Sequence, residues 1–329
     1  MNASKGIEVI ALRIKKHLFG ILFGVVLFAF TAYLLLDTFV IVRTYAAAEA
    51  STSRAEDETN EAEILPIESA ATSEPARETE SAPETPVTTD TSYRDGNITV
   101  TLTEYRIHDT TVHVADVTLT SAEYLKTAFA RNTYGRNVTQ KTSEIADSVN
   151  AILAINGDYY GAQRSGYVIR GGVLYRASAA RDAEDLVIWR DGSFSIVSES
   201  DVTAEALLEQ GAWDVLSFGP ALVRDGAIRV SESDEVGRAM ASNPRTAIGV
   251  IDGLHYVFIV CDGRTDDSAG LSLYELAEFM QSLGVTTGYN LDGGGSSTMV
   301  FLGNVVNVPT TNGKRSSERS VSDIVYIGV

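Results

Sequence analysis

Residues 98–105 and 111–120 alternate apolar and polar side chains, the two-residue period of half-buried strands. A helical period takes over at 142–149, where Thr142 or Ser143 can cap the first turn. The apolar run 151–155 follows as a buried strand, and short strands then dominate. Residues 167–175 fold back at Gly171-Gly172, and 186–189 pair with 194–197 across Asp191-Gly192, a strong hairpin signal. A short helix is expected at 203–208, and two more hairpins turn at Asp225-Gly226 and Asp252-Gly253. An amphipathic helix covers 273–283 and stops at Gly284; buried strands follow at 299–302 and 321–329. Many hairpins and few helices predict an α+β domain with largely antiparallel or mixed sheets and a few packed helices.

Upstream the pattern changes twice. Residues 1–17 form a basic N-terminus carrying Lys5, Arg13, Lys15 and Lys16, followed by the charge-free run 18–36. Extended to residue 42, that run is long enough for a transmembrane signal-anchor helix, which needs about 20 residues. Basic residues before it place the N-terminus in the cytoplasm, leaving a single-pass protein with its C-terminal domain extracellular. A cleavable signal peptide is the rival, since Ala46-Ala47-Ala48 offers small residues to a peptidase. Residues 46–92 lack aromatic side chains and hold four of the seven prolines. Too little apolar surface exists there to offset ordering entropy, so a disordered acidic spacer is expected before a single catalytic-type domain at 93–329.

Charge refines this division. The net charge is −18, but twelve acidic and two basic residues in 46–92 carry −10 of it. No basic field exists to displace counterions from a nucleic acid. The single cysteine, Cys261, rules out an internal disulfide and sits in an apolar run as a small hydrophobe. His108 and His113 bracket Asp109, but strand alternation sends them to opposite faces.

The candidate chemistry lies at strand ends. Asn156 and Asp158 follow the 151–155 run, Arg245 precedes an apolar strand, and Asp262 and Arg264 follow another. Asp292 leads into Gly293-Gly294-Gly295-Ser296-Ser297-Thr298. Consecutive glycines let a ligand approach the main-chain N–H groups, which can form an anion-binding nest. Acids, guanidinium donors and bare backbone together suit a phosphorylated sugar.

Five stretches occur in the order of one family: Asn156-Gly157-Asp158-Tyr159-Tyr160, Phe218-Gly219-Pro220-Ala221-Leu222-Val223, Pro244-Arg245-Thr246-Ala247-Ile248-Gly249, Asp262-Gly263-Arg264, and Asn290-Leu291-Asp292 with its glycines. Over 93–329 the chain resembles the phosphodiester glycosidase domain of N-acetylglucosamine-1-phosphodiester alpha-N-acetylglucosaminidases, whose bacterial members are often described as exopolysaccharide-related. Two departures stand out. The family usually reads Asn-Gly-Gly-Phe-Phe at the first motif, where this chain has Asp158 and two tyrosines, and often Glu-Arg-Pro where it has Glu318-Arg319-Ser320.

The resemblance implies cleavage between a sugar anomeric carbon and a phosphodiester oxygen in a phosphorylated glycan or polysaccharide. Asp292 is then the expected base or nucleophile, with Asp262 and Glu318 as alternative acid/base groups. Arg245 and the N–H groups of Gly293, Gly294 and Gly295 would hold the phosphate, with Arg264 and Arg319 as further contacts. Asn156, Asp158 and Ser296 would position the sugar, and Gly157, Thr246 and Ser297 complete the substrate-binding set. The resemblance fixes no cofactor and leaves room for a divalent cation, calcium or magnesium. One alternative is a phosphodiesterase in which Asp262, Asp266 and Asp267 hold calcium or magnesium and water attacks phosphorus. Another is a non-catalytic glycan-binding module on the cell surface.

Overall fold

The structure, a computed structural model, describes residues 20, 22–37, 40–44, 85–234 and 242–329. The expected basic N-terminus, residues 18, 19, 21, 38 and 39 of the expected anchor, and residues 46–84 of the expected spacer lie outside the described residues. Every strand pairing among the described residues is antiparallel.

The main sheet has nine strands. Its centre is Thr287–Leu291, Arg245–Asp252, His255–Cys261, Thr110–Leu119 and Ile98–Ile107, in that order. Strand alternation divides these residues between two cores. Val112, Val114, Val257 and Ile259 face the helix Leu273–Ser282, whose Leu276 and Met280 pack on that side. Ala115, Val117, Tyr256, Phe258 and Ile248 face the other way, against Leu153, Ile155, Leu186 and Val325 from two five-stranded sheets. The helix lies close because Gly249 and Gly288 carry no side chain. A Cβ on either would come within 2.8 Å of Val285 or Met280. A capping box of Ser272 and Glu275 opens this helix.

The expected hairpins form across Asp191-Gly192, Asp225-Gly226 and Asp252-Gly253. His108 sits in a turn 3.5 Å from Glu275, whereas His113 points inward to Asp262 at 3.4 Å.

The boundaries near the N-terminus differ from the compositional reading. Val87–Thr88 and Ser92–Arg94 join the edge of the main sheet, so the folded part begins inside the stretch expected to be spacer. A sheet edge with unpaired N–H and C=O groups supplies the partner that composition could not reveal. Residues 22–37 are helical with exposed apolar side chains, and among the described residues no helix is long and apolar enough to cross a membrane. Arg43–Thr44 pairs with Gly135–Arg136. Asp37 is ion-paired with Arg43 and lies 3.9 Å from Arg136 and 3.5 Å from Arg164.

Candidate functional site

Register brings the strand-end groups together. Thr246 pairs with Leu291 and Arg245 with Cys261, so Asp292, Arg245 and Asp262 leave adjacent strands at one end of the main sheet. Asn156, which pairs with Ile324, ends a strand of a second sheet at the same place. A cleft of about 140 Å³ opens there, walled by Phe218, Asn243, Arg245, Arg264, Asp292 and Arg319.

Asp292 is held by its backbone. Its N–H donates to Gly157 O at 3.2 Å, and its carbonyl accepts from Asn156 Nδ2 at 2.6 Å. The side chain is therefore free to face the cleft. Burial pushes its pKa up to about 6; Ser296, the Arg319 guanidinium and the Gly293 N–H pull it down, and Asp158 adds a small upward push. The Ser296 hydroxyl lies close enough for that effect, but outside the geometry of a regular hydrogen bond.

Three guanidinium groups gather opposite this carboxyl. Arg245 is buried, with Nε donating to Leu271 O at 2.9 Å. Arg264 reaches Asn243 Oδ1 through Nε and Nη2, and Thr311 O through Nη1. Burial, then the like charges of Arg319 and Arg245, depress the Arg264 pKa. Like charges converge in this way where an anion is to be bound.

The glycines serve these arginines rather than forming the expected nest. A Cβ on Gly294 would lie 3.1 Å from Arg264 Nη2, and one on Gly295 would lie 2.8 Å from Arg319 Nη2. The Gly294 N–H is already bonded to Pro244 O at 2.7 Å, and that of Gly293 turns to Asp292. Bare backbone thus lets guanidinium planes lie against the loop. Around it the buried hydroxyls of Ser296, Ser297 and Thr298, and the amide oxygen Asn290 Oδ1, have no hydrogen-bond partner among the described residues. Such unpaired groups are costly in a protein interior, so their concentration beside Asp292 marks a place for ligand or water.

Several expected sugar contacts instead brace the loop. Asn156 is fully buried; its Oδ1 accepts from Thr246 Oγ1 at 2.8 Å and from the Thr298 N–H at 3.2 Å. Thr246 is likewise buried and committed to that bond. Gly157 leaves room for Asp323, whose carboxylate a Cβ would strike at 2.3 Å. Asp158 is fully buried too, taking bonds from Arg170 Nη2 at 2.9 Å, Ser217 N at 2.8 Å and Tyr160 N at 3.0 Å. Its carboxylate neutralises a guanidinium and does not line the cleft.

The two alternative acids are also occupied. Asp262 accepts from the Val308 N–H at 2.8 Å and Asn307 Nδ2 at 3.3 Å, with His113 on its other oxygen. Among the described residues no group of three or more His, Cys, Asp or Glu is placed to hold a metal ion, so Asp262, Asp266 and Asp267 do not form a ligand set. Glu318 caps a helix: its carboxylate takes the Ser143 N–H at 3.0 Å and the Ser143 hydroxyl at 2.6 Å, at the start of Thr142–Ser148. The expected local cap fails because the N-cap residue is Lys141, which has no side-chain acceptor. Glu318→Ala should therefore cost about 1–2 kcal/mol in urea melts and leave turnover intact. A 100-fold loss of rate at unchanged stability would restore Glu318 as an acid/base group.

Three groups escaped sequence reasoning. Arg170 is buried and bonds Asp323 at 2.7 Å as well as Asp158, joining residues 153 positions apart. Burial and the Asp158 charge hold the Asp323 pKa above the ordinary carboxylate range. Arg170 directly precedes the Gly171-Gly172 turn, and Asp323 opens the last strand, but neither position differs locally from an exposed hairpin charge. Phe218 reaches the cleft because the Tyr289 hydroxyl accepts its N–H at 2.9 Å, while Asn290 Nδ2 bonds Gly219 O at 2.8 Å.

Known proteins resemble this chain in sequence and in fold. The chain is 28% identical over 192 residues to the mouse N-acetylglucosamine-1-phosphodiester alpha-N-acetylglucosaminidase, covering 53% of this chain and 37% of the relative. It is 29% identical over 199 residues to the SPbeta prophage-derived protein YomE of Bacillus subtilis, covering 59% and 30%. The chain thus spans about a third of the length of the curated relatives it matches. In fold it is similar to the zebrafish N-acetylglucosamine-1-phosphodiester alpha-N-acetylglucosaminidase catalytic domain auto-inhibited by pro-peptide, with TM-score 0.57, 20% identity, and coverage of 70% of this chain and 83% of that one. The phosphodiester glycosidase family model matches residues 149–328, a stretch that runs from the strand bearing Asn156 through Arg245 and Asp292 to Asp323. By that match, over more than half its length, the chain belongs to the phosphodiester glycosidase family.

Proposed function

We propose that this domain hydrolyses the bond between a sugar anomeric carbon and a phosphodiester oxygen, with Asp292 as the acting carboxylate. The observation that carries the reading is the cleft itself, where one half-buried carboxyl faces Arg245, Arg264 and Arg319. The departing group is a phosphate monoester, whose second pKa is about 6, so it leaves with little need of a proton. A second carboxylic acid, which glycosidases use to protonate an alkoxide, is dispensable here. Water supplies the new oxygen at carbon and the C–O bond to phosphate breaks. The bonding pair leaves on phosphate, where the guanidinium groups stabilise it. Asp292 takes the proton of the attacking water, or attacks first and releases the sugar to water in a second step.

Hydrolysis of a sugar-1-phosphodiester in oxygen-18 water tests this directly. Label should appear on the sugar hydroxyl; label in the phosphate monoester would mean attack at phosphorus and would reject the assignment. The raised pKa gives a second check. Asp292 acts only when ionised, so kcat/KM should rise with pH through about 6 and level off above it. An acid limb near 4 would mean that burial does not tune the group. Arg245→Lys keeps the charge but loses the planar fork, and a loss of about 10²-fold in kcat/KM is expected from initial rates.

Surface glycan or exopolysaccharide is the proposed substrate, delivered to a domain outside the cytoplasmic membrane and anchored by residues 18–42. The apolar run behind a basic N-terminus supports this placement. Protease treatment of intact cells should release the domain; mature protein free in the medium and beginning after Ala48 would replace anchor with signal peptide.

A further inference from the structure

A second and larger cleft, about 810 Å³, shares no lining residue with the one at Asp292. It lies where Leu125–Phe129 and Asp323–Ile327 of one five-stranded sheet meet Val168–Arg170 and Ala212–Leu216 of the other. The aromatic residues Phe129, Tyr175, Trp213 and Tyr326 line it, none of them fully buried. Arg190 stacks over Trp213 with its guanidinium carbon 4.4 Å from the ring centroid. Gly172 leaves space for that indole, because a Cβ there would meet Trp213 at 2.9 Å.

Two buried polar groups at this cleft are incompletely paired. Asp214 is 1% exposed, and its Oδ1 accepts from Thr127 Oγ1 at 2.6 Å and the Gly171 N–H at 3.1 Å. No hydrogen bond to its Oδ2 forms among the described residues. Arg170 is 6% exposed and lines the same cleft; its Nε has no partner among the described residues but is sealed from the cleft. The open carboxylate oxygen of Asp214 and the exposed guanidinium of Arg190, in the wall of one cleft, call for a ligand that both donates and accepts.

Charge decides the class of that ligand. Lys126, Arg170 and Arg190 are balanced by Glu123, Asp191 and Asp214, so no net field favours an anion. At Asp292 the opposite holds, with three guanidinium groups against one carboxyl in the wall. Aromatic faces beside paired acceptors and donors match sugar rings, which present C–H faces and hydroxyl edges. We propose that this cleft is a second glycan-binding site, taking neutral sugar residues of a polysaccharide. The site is separate from the reaction assigned to Asp292 and does not depend on it.

Tryptophan emission reads the site, since Trp213 is one of two tryptophans in the chain. The full-length protein would be titrated with trisaccharides of glucose, galactose, mannose and N-acetylglucosamine, and separately with inorganic phosphate, with calorimetry as the second readout. At least one trisaccharide should saturate, with Arg190→Ala and Tyr175→Ala each weakening it about tenfold or more and Asp292→Asn leaving it unchanged. Arg190 is exposed, so its variant should fold as the parent does. The proposal is overturned if no trisaccharide binds, if phosphate is the species that saturates the cleft, or if Asp292→Asn abolishes binding while Arg190→Ala does not.

Discussion

Asp292→Asn is expected to reduce turnover of a sugar-1-phosphodiester by about 10³-fold or more, because an amide neither accepts the proton nor attacks carbon. Geometry makes this substitution informative. The loop is fixed through the Asp292 main chain, by Asn156 Nδ2 and Gly157 O, so the change leaves its anchorage in place. Burial already disfavours the charged carboxylate, as its pKa of about 6 shows. An uncharged amide should therefore melt at the parent temperature or slightly above it. Initial rates and thermal melts on the same preparation separate the outcomes. Retention of more than a tenth of the activity would remove Asp292 from the chemistry, whereas a large fall in melting temperature would mean that the rate loss reports unfolding.

The largest stability effect is expected at Arg170. Its guanidinium is buried between Asp158 and Asp323 and also donates to the carbonyls of Ile169 and Val215. Arg170→Met leaves two carboxylates in the interior without a counter-charge, and losing one partner of such a network costs about 3–5 kcal/mol. That is a large share of the roughly 5–15 kcal/mol that keeps a domain folded. The loss should shrink in acid. Asp323 already has a pKa above its unfolded value, so the native state takes up protons before the unfolded chain does. Stability of the variant then rises as pH falls from the folded pKa toward about 4, the ordinary carboxylate value. Adding Asp158→Asn and Asp323→Asn should restore much of it. Urea melts at two pH values test this, and a loss below 1 kcal/mol at neutral pH would show that water has access to the network.

The candidate site was partly legible for a physical reason. Asp292, Arg245 and Arg264 each stand at a strand end, and strand ends are where a sheet can present side chains without breaking its ladder. The same rule selected Asn156, Asp158 and Asp262, which the structure uses as braces. Position along a strand does not say whether a carboxylate meets solvent, a guanidinium or a backbone N–H. Asp158 and Asp262 differ from Asp292 only in what lies across from them, and those partners are Arg170, Val308 and His113 from distant segments. The glycine loop is a similar case. Its lack of side chains was visible, but the occupant of the cleared space is the Arg264 and Arg319 guanidinium groups.

The sequence by itself determined many of the strands (not Leu125–Phe129, Ala212–Leu216 or Thr287–Leu291), the tight turns between them and the helix Leu273–Ser282. Period-two alternation, Asp-Gly turns and a capping box act through residues a few positions apart, so local order is enough to specify them. Its motif order also carried the family. Only the tertiary structure decided that Val87–Thr88 belongs to the main sheet and that Glu318 caps Thr142–Ser148. It alone decided that Arg170 and Asp323 share a buried contact, and that two unlike clefts open on one domain. Each of these depends on groups far apart in the chain meeting where water is excluded, where an unpaired charge or N–H must find a partner and no local pattern records which one it finds.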